Sequence, residues 1–97
     1  MQLARVTGTV VATLKEPRLT GSKLLLVEEA RADGGSDPGA AYVAVDLVGA
    51  GEGELVLVVR GSPAARTLDA GGAPVDAAIV GIVDAVRKRG SVSYQKG

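Results

Sequence analysis

The side chains best suited to chemistry near neutral pH are missing from this chain. Its 97 residues include no histidine and no cysteine, which are the usual general base and thiol nucleophile. A metal site would have to consist of carboxylates alone, and no group of aspartates and glutamates has the spacing of a calcium-binding loop. Ser62 stands directly before Pro63, which is typical of a residue that caps a helix rather than of an activated nucleophile. We therefore predict no catalytic residue, no cofactor and no metal site.

A glycine-rich stretch, GAGEG at Gly49–Gly53, is the one segment that could be compared with a phosphate-binding loop. A dinucleotide-binding loop needs G-x-G-x-x-G at the start of a helix. Here the third glycine comes one residue too early, and an apolar run typical of a strand follows. Glu52 and Glu54 would also repel a phosphate. We interpret the stretch as a tight backbone turn.

The charge balance argues against nucleic acid and membranes as partners. Eleven basic residues offset eleven acidic ones, so no overall charge attracts a polyanion. Sites for single strands combine a basic groove with aromatic rings, and this chain has two aromatic residues, Tyr42 and Tyr94. The basic residues include two short clusters, Lys15, Arg18 and Lys23 in one and Arg87, Lys88 and Arg89 in the other. A small OB-type barrel that binds a single-stranded nucleic acid or another polymer is kept as the alternative function.

Targeting signals are not visible in the sequence. No apolar run approaches the roughly 18 residues of a membrane-spanning helix, and the start MQLARVTGTVV lacks a long apolar run behind a basic segment. The absence of cysteine suits a reducing compartment. We expect a cytoplasmic protein with one barrel domain at 1–87, followed by a polar, basic and flexible tail at 88–97.

The elements that would position any site are short strands. Apolar residues alternate with polar ones or form short apolar runs, and Gly, Pro and Asp-rich stretches separate them. Five strands are predicted, at 2–14, 24–30, 41–48, 54–60 and 77–86. Gly8 predicts a bend or bulge in the first strand, and Ser62–Pro63 predicts a short helix at Pro63–Leu68 between strands four and five. The fold class is therefore all-β, a small five-stranded OB-like barrel with one short helix.

The interior of this barrel has to be aliphatic, because phenylalanine and tryptophan are absent. We expect Val43, Val45 and Leu47 to share one face of the third strand. On the fourth strand, we expect Leu55, Leu57 and Val59 to point inward.

The last predicted strand is apolar on both of its faces. Within PVDAAIVGIVDAV, Ala77, Ile79 and Val83 would face one way, and Ala78, Val80 and Ile82 would face the other. A barrel of this size has one interior, so one face remains to be covered. Exposing several Val and Ile side chains would leave a patch that monomers rarely tolerate. We therefore predict self-association, through either a head-to-tail or a two-fold contact.

Three stretches give the chain a resemblance to a known family. RVTGTVVATLK, AVDLVGAGEGELVLVVRGSPAAR and PVDAAIVGIVD are similar to the EutN/CcmL family of pentameric vertex proteins of bacterial microcompartment shells, carboxysomes included. The similarity extends over Met1–Val86. It implies an OB-like barrel with no catalytic activity, five copies of which close the five-fold vertices of a cytoplasmic shell. The partners that it implies are other copies of the chain and the hexameric and trimeric tiles of the shell facets.

The resemblance also suggests roles for particular residues. The expected subunit interface consists of Leu55, Leu57, Val59, Ala78, Val80, Ile82, Asp84 and Val86. The glycine-rich loop, Gly49, Ala50, Gly51, Glu52 and Gly53, is expected to line a pore on the five-fold axis. Lys15, Arg18 and Lys23 are expected to contact the facet tiles. Asp76 and Asp84 are expected to pair with Arg5 or Arg66 and so to fix neighbouring copies in register, and turn or surface roles for these two carboxylates are the open alternative.

Overall fold

Five strands close into a barrel, and two more form a separate hairpin. The computed structural model describes residues 1–61 and 75–97, with the backbone alone at residues 37–40. The strands are β1 (Gln2–Val10), β2 (Lys23–Ala30), β3 (Ser36–Asp46), β4 (Leu55–Arg60), β5 (Ala77–Ile82), β6 (Ala85–Lys88) and β7 (Ser91–Gln95), with a 3-10 helix at Pro17–Leu19. The barrel order is β1-β2-β3-β5-β4, and only the β3–β5 pair among these is parallel. The all-β, five-stranded barrel is thus confirmed, whereas the predicted helix at Pro63–Leu68 lies outside the described residues.

Strand ends follow the partners that each strand finds. β1 stops at Val10, four residues earlier than predicted, because Val10 pairs with Leu24 near the start of β2 and residues 11–14 have no strand opposite them. β3 begins at Ser36, five residues earlier than predicted, because its ladder with β2 continues to the pair Ala30–Ser36. The bulge expected at Gly8 is confirmed by a register shift between Val6 and Gly8.

The barrel interior is filled by small and medium aliphatic side chains. Its buried members are Ala4, Val6, Leu25, Val27, Ala44, Ala50, Val56, Val58, Ala77 and Ile79. On β4, Val56 and Val58 point into the barrel core, so the inward direction predicted for Leu57 and Val59 is wrong. Leu55 is fully buried, but it lies outside that core cluster. All five residues are apolar, and a period-two pattern cannot tell the two faces apart when both are apolar.

A bulge in β5 changes which residues face the core. Val58 pairs with Ile79, but the next residue back along β4, Leu57, pairs with Gly81, so Val80 is an extra residue. The extra residue reverses the alternation. Ile82, expected on the outer face, therefore pairs with Val56 and packs against the core.

The predicted strand at 77–86 is divided into two. β5 ends at Ile82, the Val83 N–H donates to the Leu55 carbonyl at 2.9 Å, and the chain then leaves the barrel to form β6. β6 pairs with β7 through a turn in which Arg89 and Gly90 have positive φ values of 52° and 79°. Two positive φ values in a two-residue loop match the twist of a hairpin. Within the tail at 88–97, Ser91–Gln95 form β7, which is paired with β6.

Candidate interaction surfaces

Two of the predicted interface residues lie inside the protomer. Leu55 and Ala78 have no exposed surface, so their side chains are not available to a neighbouring copy. The chain itself thus covers part of the second face of β5. Ile82 packs against the core and is only half-buried.

The other predicted interface residues keep exposed surface. Leu57, Val59, Val80 and Val86 are half-buried, and Asp84 is exposed. Leu57 pairs with Leu3 on one side and with Gly81 on the other, so an apolar row crosses β1, β4 and β5 on the outside of the barrel. A side chain at Gly81 would contact Leu57, since a Cβ placed there lies 3.5 Å from Leu57 Cδ1. The glycine leaves this row shallow enough for another backbone to approach.

A second apolar surface, which sequence reasoning missed, lies across β2 and β3. A groove of about 210 Å³ is lined by Leu14, Leu19, Leu24, Val43, Val45, Val75, Asp76 and Ala77. Val43 is 44% exposed although it lies in the middle of β3. The groove could not be predicted from strand patterns, because Leu14 and Leu19 come from the long connection between β1 and β2.

The glycine-rich loop is anchored at both ends. Gly49 and Gly53 have positive φ values of 80° and 88°, which glycine adopts without strain. Asp46 Oδ1 accepts hydrogen bonds from the N–H groups of Val48 and Gly49 at 3.0 and 3.2 Å. Ala50 is fully buried in the barrel core, so the expectation that it lines a pore is corrected. Glu52 and Gly53 are exposed.

The basic loop between β1 and β2 is partly engaged within the chain. Arg18 Nε lies 2.7 Å from Glu16 Oε1, and this hydrogen bond lowers the pKa of Glu16. Lys23 Nζ donates to the Ala50 carbonyl at 2.8 Å and lies 3.6 Å from Asp46 Oδ2. Lys23 therefore holds the glycine-rich loop, whereas Lys15 is exposed.

Arg5 joins three parts of the fold. Its guanidinium donates to the Gly34 carbonyl in the β2–β3 turn and to the Gly53 carbonyl at 2.7 Å, and it lies 5.5 Å from the ring centre of Tyr94 in β7. Within the protomer, Arg5 thus has carbonyl and aromatic partners. The pairing of Asp76 or Asp84 with Arg5 or Arg66 was expected between copies and stays a prediction, and Arg66 lies outside the described residues.

A second contact near Arg5 also fastens the C-terminal strand. Lys96 Nζ lies 2.8 Å from Glu54 Oε2. The hydrogen bond from Lys96 lowers the pKa of the Glu54 carboxyl, and a hydrogen bond from the Gly51 N–H lowers it further. The hydrogen bond to Glu54 in turn raises the pKa of Lys96. No local sequence pattern predicts this contact, since its partners are 42 residues apart.

Both tyrosines are occupied within the protomer. The Tyr42 hydroxyl accepts a hydrogen bond from Gln2, the Arg60 guanidinium lies 4.0 Å from its ring centre, and burial raises the pKa of Tyr42. Tyr94 carries Arg5. A site that stacks single-stranded bases needs open rings, so these contacts disfavour the nucleic-acid alternative.

In residues 1–61 and 75–97, no three Asp or Glu side chains are grouped so that they could hold a metal ion. Within the same ranges, no helix is long and apolar enough to cross a membrane.

Comparison with known proteins agrees with this architecture. Residues 1–84 match the family model described as ethanolamine utilisation protein EutN/carboxysome. The chain belongs to the EutN/CcmL family. The carboxysome shell vertex protein CcmL of a Synechocystis strain is 50% identical over 97 residues, covering 99% of this chain and 95% of that protein.

Solved structures of EutN/CcmL-type proteins have the same fold. CcmL of Gloeobacter violaceus superposes with a TM-score of 0.90 at 43% identity, covering 99% of this chain and 98% of that one. GrpN of Rhodospirillum rubrum, described as a pentameric microcompartment shell protein, superposes with a TM-score of 0.79 at 46% identity and covers 91% and 99% of the two chains. The similarity therefore extends over essentially the whole molecule.

Proposed function

We propose that this protein is a structural shell protein whose homopentamers cap the five-fold vertices of a bacterial microcompartment in the cytoplasm, without catalysis. The observation that carries the proposal is membership of the EutN/CcmL family over nearly the whole chain, with a relative named as a shell vertex protein at 50% identity. The structural relative described as pentameric supports the number of copies.

The surface of the protomer suits a ring. The row around Leu57 crosses β1, β4 and β5, whereas the groove beside Val43 lies mainly across β2 and β3 and is also lined by Ala77 of β5. A contact between two unlike surfaces is heterologous, and repeating it around an axis closes a ring when the rotation permits. A two-fold contact would instead join one surface to itself.

Particular residues have proposed roles in this assembly. Contacts between copies involve the exposed parts of Leu57, Val59, Val80, Asp84 and Val86. Gly49, Gly51, Glu52 and Gly53 line the opening on the axis. Lys15 and Arg18 contact the hexameric and trimeric tiles of the surrounding facets, with Lys23 in a supporting position.

The assembly state tests the proposal directly. Light scattering should give about 49 kDa, five times the 9.7 kDa of the chain. Co-expression with hexameric shell tiles should yield closed particles by electron microscopy, and omission of this chain should leave shells open at the vertices or elongated. A chain that remains a 9.7 kDa monomer at high concentration would contradict the proposal.

A further inference from the structure

Charge is segregated between the barrel and the C-terminal hairpin. Residues 85–97 contain four basic residues, Arg87, Lys88, Arg89 and Lys96, and no acidic residue. Since the whole chain has eleven of each sign, residues 1–84 hold seven basic and eleven acidic residues. The net charge of zero therefore combines a body of −4 with a hairpin segment of +4.

The two ends of the hairpin differ in how they are held. Ser93 Oγ donates to the Ala32 carbonyl at 2.8 Å, Tyr94 lies against Arg5, and Lys96 pairs with Glu54. These contacts fasten the end near residues 93–96 to the body. At the other end, Arg87, Lys88 and Arg89 are exposed and make no side-chain hydrogen bond or ion pair with the described part of the chain.

In the β6–β7 turn, Arg89 occupies a backbone conformation that other residue types prefer. Arg89 has a φ of 52°, and among the residues that the structure describes no other non-glycine residue has a positive φ. Asparagine, aspartate and glycine are preferred at the first central position of this kind of turn. The strained arginine gains no partner within the described chain, so local structure gives no reason for its presence.

We propose that the β6–β7 hairpin is an arm that docks, through its basic tip, on the acidic body of the next copy in the ring. This inference rests on the proposed homopentamer and assigns one of its contacts. A second copy is the occupant that the charges favour, because the +4 segment of one chain complements the −4 body of another. The contact joins unlike surfaces, as a ring requires.

The body offers exposed acidic groups to such a tip. Glu29, Glu52 and Asp76 are exposed, and none of them has an ion-pair partner within the described residues. The arm also carries Val92, which is 52% exposed and would lose water contact on docking. An isolated two-stranded hairpin is marginally stable in water, so docking would also order the arm.

Removal of the tip charges tests the arm. The variants are Arg87→Gln/Lys88→Gln/Arg89→Asn, the single Arg89→Asn, and Arg31→Gln as a matched loss of one exposed cation elsewhere. The assembly of each is measured by light scattering over a dilution series, at about 0.1 M and about 1 M salt, where the Debye length is about 10 Å and about 3 Å. Protomer folding is monitored by circular dichroism and thermal unfolding.

The arm predicts a specific combination of results. In low salt, the protein concentration at which half of the chains are assembled should be at least about tenfold higher for the triple variant, because every contact around the ring is weakened. High salt should bring the wild type towards the same behaviour, and Arg31→Gln should assemble like the wild type. Arg89→Asn should weaken assembly while leaving thermal unfolding equal or higher, since asparagine tolerates a positive φ.

Two outcomes would overturn the arm and separate it from the proposed function. If the wild type forms pentamers and the triple variant assembles identically at every dilution, the hairpin does not dock on the next copy, and the vertex role stands. A wild-type chain that never forms pentamers removes the vertex role and, with it, the arm.

Discussion

At the scale of single residues, Gly34 shows how closely the hairpin packs on the barrel. Its φ is +87°, and a Cβ at this position would lie 2.6 Å from Tyr94 Cδ1 and 3.0 Å from Arg5 Nη2. Both neighbours belong to the contact that joins β1, the β2–β3 turn and β7. The glycine is therefore needed for its backbone conformation and for the space that it leaves.

We predict that Gly34→Ala destabilises the protein more than Gly21→Ala. Gly21 has nearly the same φ, +84°, but nothing lies within 4 Å of a Cβ placed there. The control should lose about 1 kcal/mol through backbone strain, whereas Gly34→Ala should lose about 1–3 kcal/mol more through crowding of Tyr94 and Arg5. Urea unfolding at one fixed protein concentration measures both. Equal losses would mean that the hairpin is not held against the turn.

At the scale of elements, the bulge in β5 decides which side chains enter the core. A strand with apolar residues on both faces has no preferred orientation in its own pattern. The pairing with β4 decides the orientation of β5 instead. Ile82 and Ile79 lie opposite the inward-facing Val56 and Val58, and Val80 is the extra residue between them. The same bulge turns Ile82 away from the surface that the sequence assigned to it.

We predict that Ile82→Ala costs more stability than Val80→Ala. Ile82 packs against the barrel core although it is only half-buried, so its truncation should cost about 2 kcal/mol, the low end for such a change. Val80→Ala should cost less than about 1 kcal/mol in the protomer. The comparison uses thermal unfolding of dilute protein, so that assembly does not contribute. A larger loss for Val80→Ala would contradict the observed register.

At the scale of the whole molecule, closure of the barrel leaves few ways to associate. Closure of the barrel pairs most strand edges. Contacts between copies therefore depend on side-chain surfaces, on the edge of β3 beyond its pairs Val45–Ala78 and Asp46–Ile79 with β5, and on the separate β6–β7 hairpin. The apolar row through Leu3 and Leu57 is one such surface. This row is the part of the predicted interface that remains accessible.

We predict that Leu57→Asp weakens the pentamer about tenfold or more without unfolding the protomer. A carboxylate would stay hydrated in the half-buried position of the monomer but would have to be desolvated between copies. Thr9→Asp is the matched control, since Thr9 is exposed on the same barrel and lies outside the row. Sedimentation of both variants together with circular dichroism makes the comparison. A pentamer that tolerates Leu57→Asp as well as Thr9→Asp would exclude this row from the interface.

The sequence by itself determined the strand content, the aliphatic interior, the bulge at Gly8 and the family. These follow from local alternation, from the residue types present and from motifs that are continuous along the chain. The burial of Ala50 and Ala78, the inward turn of Ile82 and the contact of Arg5 with Tyr94 were decided by the tertiary structure alone. Each depends on which distant strand lies opposite, and a chain that is apolar on both faces of a strand carries no local record of that choice.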